Sequence, residues 1–140
     1  MRADLDEANL GVSSVHIAVS ADSQASAIET SRILGTDTAV VPIPWLVDGF
    51  DERALASHDG VRAFAGRLNE AARELAGAGI RLGYHNRHFE WARLPDGAHA
   101  FDVLWDLLDP EVLAEVDVCW AAVAGPRTRP RFWSALENAP

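Results

Sequence analysis

Basic residues, cysteine and long apolar runs are all scarce in this chain, and each shortage excludes a class of protein. Only 12 lysine and arginine residues stand against 21 acidic ones, which gives a net charge of −9. The chain therefore lacks the electrostatic surface that binds nucleic acid or anionic lipid. No apolar run is long enough to cross a membrane, and the charged start does not resemble a signal peptide. These features predict a cytoplasmic protein that binds neither nucleic acid nor a membrane.

The chain has a single cysteine and one local cluster of basic residues. A single cysteine, Cys119, excludes an internal disulfide framework. It falls in a predicted buried strand, where we expect it to pack as an inert side chain. Arg127, Arg129 and Arg131 lie among prolines near the end of the chain. We interpret them as a solvated tail first and as a phosphate-binding patch second.

The chain does have a large apolar fraction and a regular alternation of predicted helices and strands. Apolar residues make up 49% of its 140 residues, so we expect one domain with a real core over residues 1–140. Periodicity and glycine or proline boundaries predict helices at 2–9, 25–34, 61–78, 101–108 and 131–138, and strands at 14–20, 38–43, 80–86 and 115–123. Strict alternation predicts an α/β fold with neighbouring parallel strands in sequence order.

Polar side chains with catalytic chemistry cluster at the end of one predicted strand. The stretch 81–91 reads RLGYHNRHFEW, so an apolar run ends in His85, Asn86, His88 and Glu90. A second carboxylate, Asp117, interrupts the apolar run 115–123. The carboxyl ends of barrel strands are where α/β barrels build their active sites. The sequence therefore predicts that His85, Glu90 and Asp117 lie at the same edge of the sheet.

Taken together, these motifs resemble the sugar phosphate isomerase/epimerase family with the xylose-isomerase-like TIM barrel. The family has a strand of the form A-x-x-L-G-x-x-x-V-V-x-P, matched by TSRILGTDTAVVP at 30–42. It then has G-I-x-L-x-Y-H-N-H-x-x-E-F, matched by GIRLGYHNRHFEW at 79–91. A strand ending in D-x-x-W follows, matched by DVCW at 117–120, with an Ala-Gly pair after it. The resemblance covers almost the whole chain.

The chain also departs from the family pattern. Arg87 replaces the second His of H-N-H, Trp91 replaces Phe, and Pro126 stands where the family continues with Asp-Pro. A complete TIM barrel needs about 250 residues and eight strands. The resemblance implies a partial (β/α) TIM barrel, with strands like the third to the sixth. The final two strands, which in the family supply a His and a Glu to the metal, have no counterpart here.

The resemblance implies proton transfer next to a carbonyl, through an enediolate, on a sugar or sugar phosphate. A divalent metal, Mn²⁺, Mg²⁺ or Zn²⁺, would stabilise the developing charge. Asp117 is the leading metal ligand, because a lone carboxylate in a buried strand needs a cation or strong donors; the alternative is a solvent-facing or Arg-paired carboxylate. Glu90 is the candidate acid/base or a further ligand, and otherwise an ordinary surface residue. His85 is a ligand, a substrate contact or a hydrogen-bonded core histidine.

The residues predicted to contact the substrate surround that strand end. Period-two alternation places His85 and Arg87 on one face, expected to face the barrel interior, where Arg87 could bind an anionic group. The full set of predicted substrate contacts is His16, Trp45, His85, Asn86, Arg87 and Trp120. Core packing is the alternative for each tryptophan.

Two other functional interpretations stay open. The first is a truncated, catalytically silent barrel fragment or binding module. The second is a half-barrel that acts only as a two-chain assembly, a homodimer formed through its bare sheet edges. We expect the isolated chain to have little or no isomerase activity, since half of the metal site has no counterpart in it.

Overall fold

A computed structural model describes residues 2–20 and 23–124. The helices and strands alternate along the chain in this order: α1 Arg2–Glu7, β1 Val15–His16, α2 Ser23–Leu34, β2 Thr38–Val41, α3 His58–Ala76, β3 Arg81–His85, α4 Ala100–Leu107, β4 Leu113–Glu115 and α5 Val118–Val123. The predicted helix at 131–138, the arginine cluster, Gly125 and Pro126 lie outside the described residues. No helix in the described part is long and apolar enough to cross a membrane.

The four strands form one parallel sheet in the order β1-β2-β3-β4. This confirms the predicted α/β fold, because parallel neighbours in sequence order need a crossover after each strand. The open four-stranded sheet with alternating helices is a partial (β/α) barrel.

The register of the strands divides their side chains between two faces. His16, Val40, Gly83 and Leu113 lie level with one another across the sheet, and His85 pairs with Glu115 two residues further along. Alternate residues point to the opposite face. Tyr84 is on that opposite face, where its ring contacts the Phe64 ring of α3 with centroids 5.4 Å apart.

The core lies between the sheet and α3, the longest helix. Ser57 begins this helix by accepting a hydrogen bond from the Gly60 N–H, which satisfies a donor that the first turn would leave unpaired. The apolar positions at three- and four-residue spacing are all buried: Val61, Phe64, Ala65, Leu68, Ala71, Ala72 and Leu75. The predicted helix at 61–78 is therefore confirmed in its apolar face, although it starts earlier and ends at Ala76. Gly79 then takes a φ of +77° to turn the chain into β3.

The predicted strand at 115–123 is wrong. The strand is β4, which ends at Glu115, and residues 118–123 form α5 instead. Asp117 caps α5, since its side chain accepts a hydrogen bond from the Trp120 N–H, so it does not interrupt a buried strand. A short apolar run without clear periodicity fits either element, and the capping carboxylate decides for the helix. Cys119 is accordingly exposed rather than buried.

The predicted strand at 14–20 is also shorter than expected. Its paired residues are Val15 and His16, and Val19 makes a separate bridge to Val47. The Ile17 N–H still donates to the Val40 carbonyl at 2.9 Å, so the chain stays beside β2 past the end of β1.

Candidate functional site

Two histidines and a glutamate converge on the face of the sheet opposite α3. Glu115 Oε1 lies 3.4 Å from His16 Nε2 and 3.2 Å from His85 Nδ1. The two imidazole rings meet edge to face with centroids 5.7 Å apart. We call these three residues the strand-end cluster. Within the described part of the chain, they are the group whose ligand atoms all lie within 4.8 Å of one another.

This convergence requires a strongly curved sheet. His16 lies on the first strand and Glu115 on the last, so three inter-strand spacings separate them, about 14 Å in a flat sheet. Side chains that stand upright on a flat surface could not bridge that span. The 3.4 Å contact between them therefore shows that the face is concave, as the inner surface of a barrel is. The strand-end cluster lies in that concavity.

Gly83 lets its two neighbouring strands pack closely in the row before His85. A Cβ atom at this position would lie 3.2 Å from the Leu113 carbonyl oxygen and 3.3 Å from Val40 Cγ2, both closer than ordinary van der Waals contact. A side chain at Gly83 would therefore press on β2 and β4 in the row that precedes His85 on the same face, so glycine allows this close approach.

Asp117 joins the cluster from the segment after β4. One carboxylate oxygen, Oδ2, lies 3.5 Å from His85 Nε2. The other, Oδ1, accepts the hydrogen bond from the Trp120 N–H at 2.9 Å. His85 thus has a carboxylate beside each ring nitrogen, Glu115 at Nδ1 and Asp117 at Nε2. The structure brings the two predicted residues, His85 and Asp117, together.

The Asn86 side chain is hydrogen-bonded to the backbone of Asp117. Its Oδ1 accepts a hydrogen bond from the Asp117 N–H at 2.9 Å, and its Nδ2 donates to the Asp117 carbonyl at 3.2 Å. Asn86 is 2% exposed. Its predicted substrate contact stays a prediction, and the amide is already engaged with the backbone.

Glu90 lies at the predicted edge of the sheet but is fully buried, with 0% exposure. Its Oε1 accepts the Tyr84 hydroxyl at 2.5 Å, and its Oε2 accepts the Arg87 N–H at 2.8 Å. Burial raises the pKa of the Glu90 carboxyl above its ordinary value, and these hydrogen bonds oppose the rise. Burial and the neighbouring Glu90 charge hold the pKa of Tyr84 well above its usual value, so the hydroxyl stays a donor. The role of Glu90 as an acid/base stays a prediction.

Arg87 is held at the mouth of the concavity. Its guanidinium lies over the Trp120 ring, 5.4 Å from the ring centroid, and its Nε donates to the Pro42 carbonyl at 3.5 Å. Among the described residues, no carboxylate lies within ion-pair distance of this guanidinium. A cation so placed suits an anionic group of a ligand.

The two predicted tryptophan contacts have different surroundings. Trp120 packs against Arg87 and against the His88 ring, whose centroid is 5.2 Å away. Trp45 is 50% exposed and packs against Phe89 with ring centroids 5.8 Å apart. Trp120 therefore adjoins the residues of the cluster through Asp117, whereas Trp45 lies further along the rim.

Sequence reasoning missed Glu115 as a member of the site. The signal was its spacing of two from Asp117, which places both carboxylates on one side of an extended segment. Treating 115–123 as one strand hid this, because Glu115 then stood at the start of the strand rather than at its end.

The donor set fits a divalent metal. Imidazole nitrogens and a carboxylate oxygen bind Zn²⁺ at about 2.0–2.2 Å, and the same donor types suit Mn²⁺. Ligand atoms around such an ion stand about 3–3.5 Å apart. The separations of 3.2 and 3.4 Å from Glu115 to the histidines match that spacing. His16, His85 and Glu115 could hold the ion, with Asp117 as a fourth ligand or an orienting group.

Comparison with known proteins supports the fold. No family model and no curated protein sequence matches the chain. The chain is similar to the crystal structure of a sugar phosphate isomerase/epimerase from Parabacteroides distasonis, with a TM-score of 0.72 and 24% sequence identity. The match covers 88% of this chain and 48% of that one, so the chain spans about half the length of its structural neighbour. The likeness confirms the predicted fold, a partial (β/α) TIM barrel like that of a sugar phosphate isomerase/epimerase.

Proposed function

We propose that the strand-end cluster is half of the active site of a metal-dependent sugar or sugar phosphate isomerase or epimerase. The observation that carries the proposal is the meeting of His16, His85 and Glu115 within 4.8 Å in a concave parallel sheet. A barrel of this type builds its active site at the carboxyl ends of its strands. The structural neighbour, a sugar phosphate isomerase/epimerase, supports the reaction class.

The metal, when bound, would supply charge stabilisation next to the sugar carbonyl. His16, His85 and Glu115 would hold it, and Asp117 would orient His85 through Nε2. Arg87 would bind an anionic substituent of the substrate.

The same geometry explains why we expect little activity from this chain by itself. The side chains of His16 and Glu115 are 51% and 39% exposed, so water competes for the ion on the open side. Tight sites fill the remaining coordination positions in fixed geometry. An enediolate mechanism also needs a proton-transferring carboxylate that faces the substrate, and Glu90 faces Tyr84 instead.

Calorimetric titration of the chain with Mn²⁺ and Zn²⁺ tests the metal site. We expect one ion per chain and a loss of affinity of about tenfold or more in Glu115→Gln, because a charged ligand is removed. Glu111→Gln is the matched control, since Glu111 is an exposed carboxylate just before β4 and outside the cluster. Absence of binding, or an equal loss in both variants, would contradict the proposal.

A homodimer of half-barrels is the second candidate. The described sheet leaves β1 and β4 as bare edges, and such edges pair readily. Val118 and Val123 of α5, beyond the β4 edge, are 58% and 61% exposed. A dimer could place a second strand-end cluster across a shared interior.

Sedimentation analysis with metal content, followed by deuterium exchange of ketoses in D₂O, separates the candidates. A dimer with one metal per chain and exchange above the metal-only rate would establish the two-chain enzyme. A monomer that binds metal without exchange would fit an isolated half-site. A monomer without metal would establish the silent fragment or binding module.

A further inference from the structure

We infer that Asn86 is a positioning residue, whose side-chain amide holds Asp117 in place beside His85. The inference rests on the proposed function for its consequence in metal binding, but its geometry stands without it.

The β3–β4 ladder stops just before Asp117. Its last pair is His85 with Glu115, so the backbone of Asp117 has no ladder partner. The Asn86 side chain replaces one. It donates to the Asp117 carbonyl at 3.2 Å and accepts from the Asp117 N–H at 2.9 Å, the two bonds that separate backbone groups of a neighbouring strand would otherwise make.

Burial of Asn86 increases the energetic cost of losing these two hydrogen bonds. Asn86 is 2% exposed, so water cannot readily replace either bond. A buried polar group that loses its partner bears its full desolvation cost. The two hydrogen bonds therefore fix the position of the Asp117 backbone.

A fixed Asp117 backbone orients its carboxylate. With Oδ1 held by the Trp120 N–H at 2.9 Å, Oδ2 is left 3.5 Å from His85 Nε2. A carboxylate beside a ligating imidazole sets the orientation of the ring and the nitrogen that it offers to a metal. His85 would then present Nδ1 toward Glu115 and the concavity. Asn86 acts on the site through Asp117.

The chain contains a matched control in Asn69 of α3. Its Nδ2 donates to the Leu107 carbonyl at 3.0 Å, and its Oδ1 accepts from the Asp109 N–H at 2.8 Å. This is the same two-point amide contact, made to the end of α4 rather than to the cluster. Asn69→Ala therefore loses the same number of side-chain hydrogen bonds, from a less buried position, without touching Asp117.

The first measurement needs no metal. Asp117→Asn removes the charge beside His85 Nε2. When it is made in the otherwise wild-type protein, it should shift the NMR resonances of the His85 ring. In Asn86→Ala the same change should have a much smaller effect, because Asp117 is no longer held there. In Asn69→Ala it should have the full wild-type effect. An undiminished shift in Asn86→Ala, or a lost shift in Asn69→Ala, would overturn the inference.

Asn86→Asp covers the case in which Asn86→Ala does not fold. This variant keeps the volume and the oxygen that accepts from Asp117, but it loses the donor. We expect partial loss of the His85 response, and a full response would overturn the inference.

The second measurement is the Co²⁺ affinity of the same variants. Removing a group that orients a ligand usually weakens binding by about 10–100-fold, and Asn86 acts on such a group, Asp117. We therefore expect Asn86→Ala to weaken binding by about tenfold, the lower end of that range, and Asn69→Ala to leave it unchanged. Equal loss in both variants would overturn the positioning role in metal binding. If the wild-type chain binds no Co²⁺, the proposed function fails, while the metal-free NMR comparison still decides the role of Asn86.

Discussion

The buried pair of Tyr84 and Glu90 should make the stability of this protein depend on pH in a defined direction. Burial raises the pKa of Glu90, so the folded chain binds this proton more tightly than the unfolded chain does. Stability from this group is therefore complete below the ordinary carboxyl pKa. It is lost as the pH rises through the raised value, because the ionised form is penalised in the folded state.

Two substitutions separate the charge from the hydrogen bond. Tyr84→Phe removes the donor that lies 2.5 Å from Glu90 Oε1. A hydrogen bond to a charged group contributes about 1.5–3 kcal/mol, and one between neutral groups about 0.5–1.5 kcal/mol. Tyr84→Phe should therefore cost about 2 kcal/mol where Glu90 is ionised and about 1 kcal/mol where it is protonated. Glu90→Gln mimics the neutral carboxyl and should remove this part of the pH dependence.

Urea unfolding monitored by tryptophan fluorescence, at about pH 4 and about pH 8, measures these differences. The stability of the wild type relative to Glu90→Gln should fall as the pH rises, since other carboxyls titrate alike in both proteins. The cost of Tyr84→Phe should grow over the same interval. A constant difference for both variants would refute the reasoning. It would also show that ionising Glu90 costs no stability, as expected for a carboxylate that faces solvent in the concavity.

Three further outcomes follow from local geometry. Gly60→Ala should destabilise the fold by about 2 kcal/mol in thermal unfolding, because its Cβ would collide with the Ala54 carbonyl. Gly66→Ala should instead stabilise the fold by about 0.5–1 kcal/mol, because no atom lies within 4 Å of its Cβ. Ser57→Ala should cost about 1 kcal/mol by loss of the α3 cap, and a stability equal to wild type would contradict that cap. Cys119 is exposed and should react fully with a thiol reagent in the native protein, whereas reaction only after unfolding would support the buried strand that the sequence predicted.

The sheet order was predictable because its signals are local. Gly79 and the proline after β2 mark boundaries that need no knowledge of tertiary structure, and alternation then fixes the parallel order. The segment 115–123 failed for a local reason too. Its apolar residues suit a strand or a helix, and the capping hydrogen bond from Trp120 to Asp117 cannot be read from composition.

The site was predictable only in part, because half of it depends on curvature. His85 ends β3 and Asp117 follows the neighbouring β4, so sequence order was enough to bring them together. His16 and Glu115 are 99 positions apart and lie on opposite edges of the sheet. Their contact exists because the sheet bends, and no spacing along the chain encodes that bend. The inward turn of Glu90 depends on its hydrogen bond with Tyr84, six positions earlier, which the pattern of residue types does not reveal.

The exposure of the strand-end cluster links metal binding to whatever covers the concavity. His85 is 12% exposed in its side chain, whereas Glu115 is 39% and His16 is 51%. Charges about 4 Å apart interact by about 1 kcal/mol in water and about 4 kcal/mol near a protein surface. Covering the concavity would therefore strengthen the hold of the Glu115 carboxylate on a cation. Because coupling free energies are reciprocal, a metal held by this cluster would strengthen the association of the covering half by the same factor. On the proposed function, metal binding and assembly with a second half-barrel are thus two coupled equilibria, and the metal content of the chain should rise with its state of association.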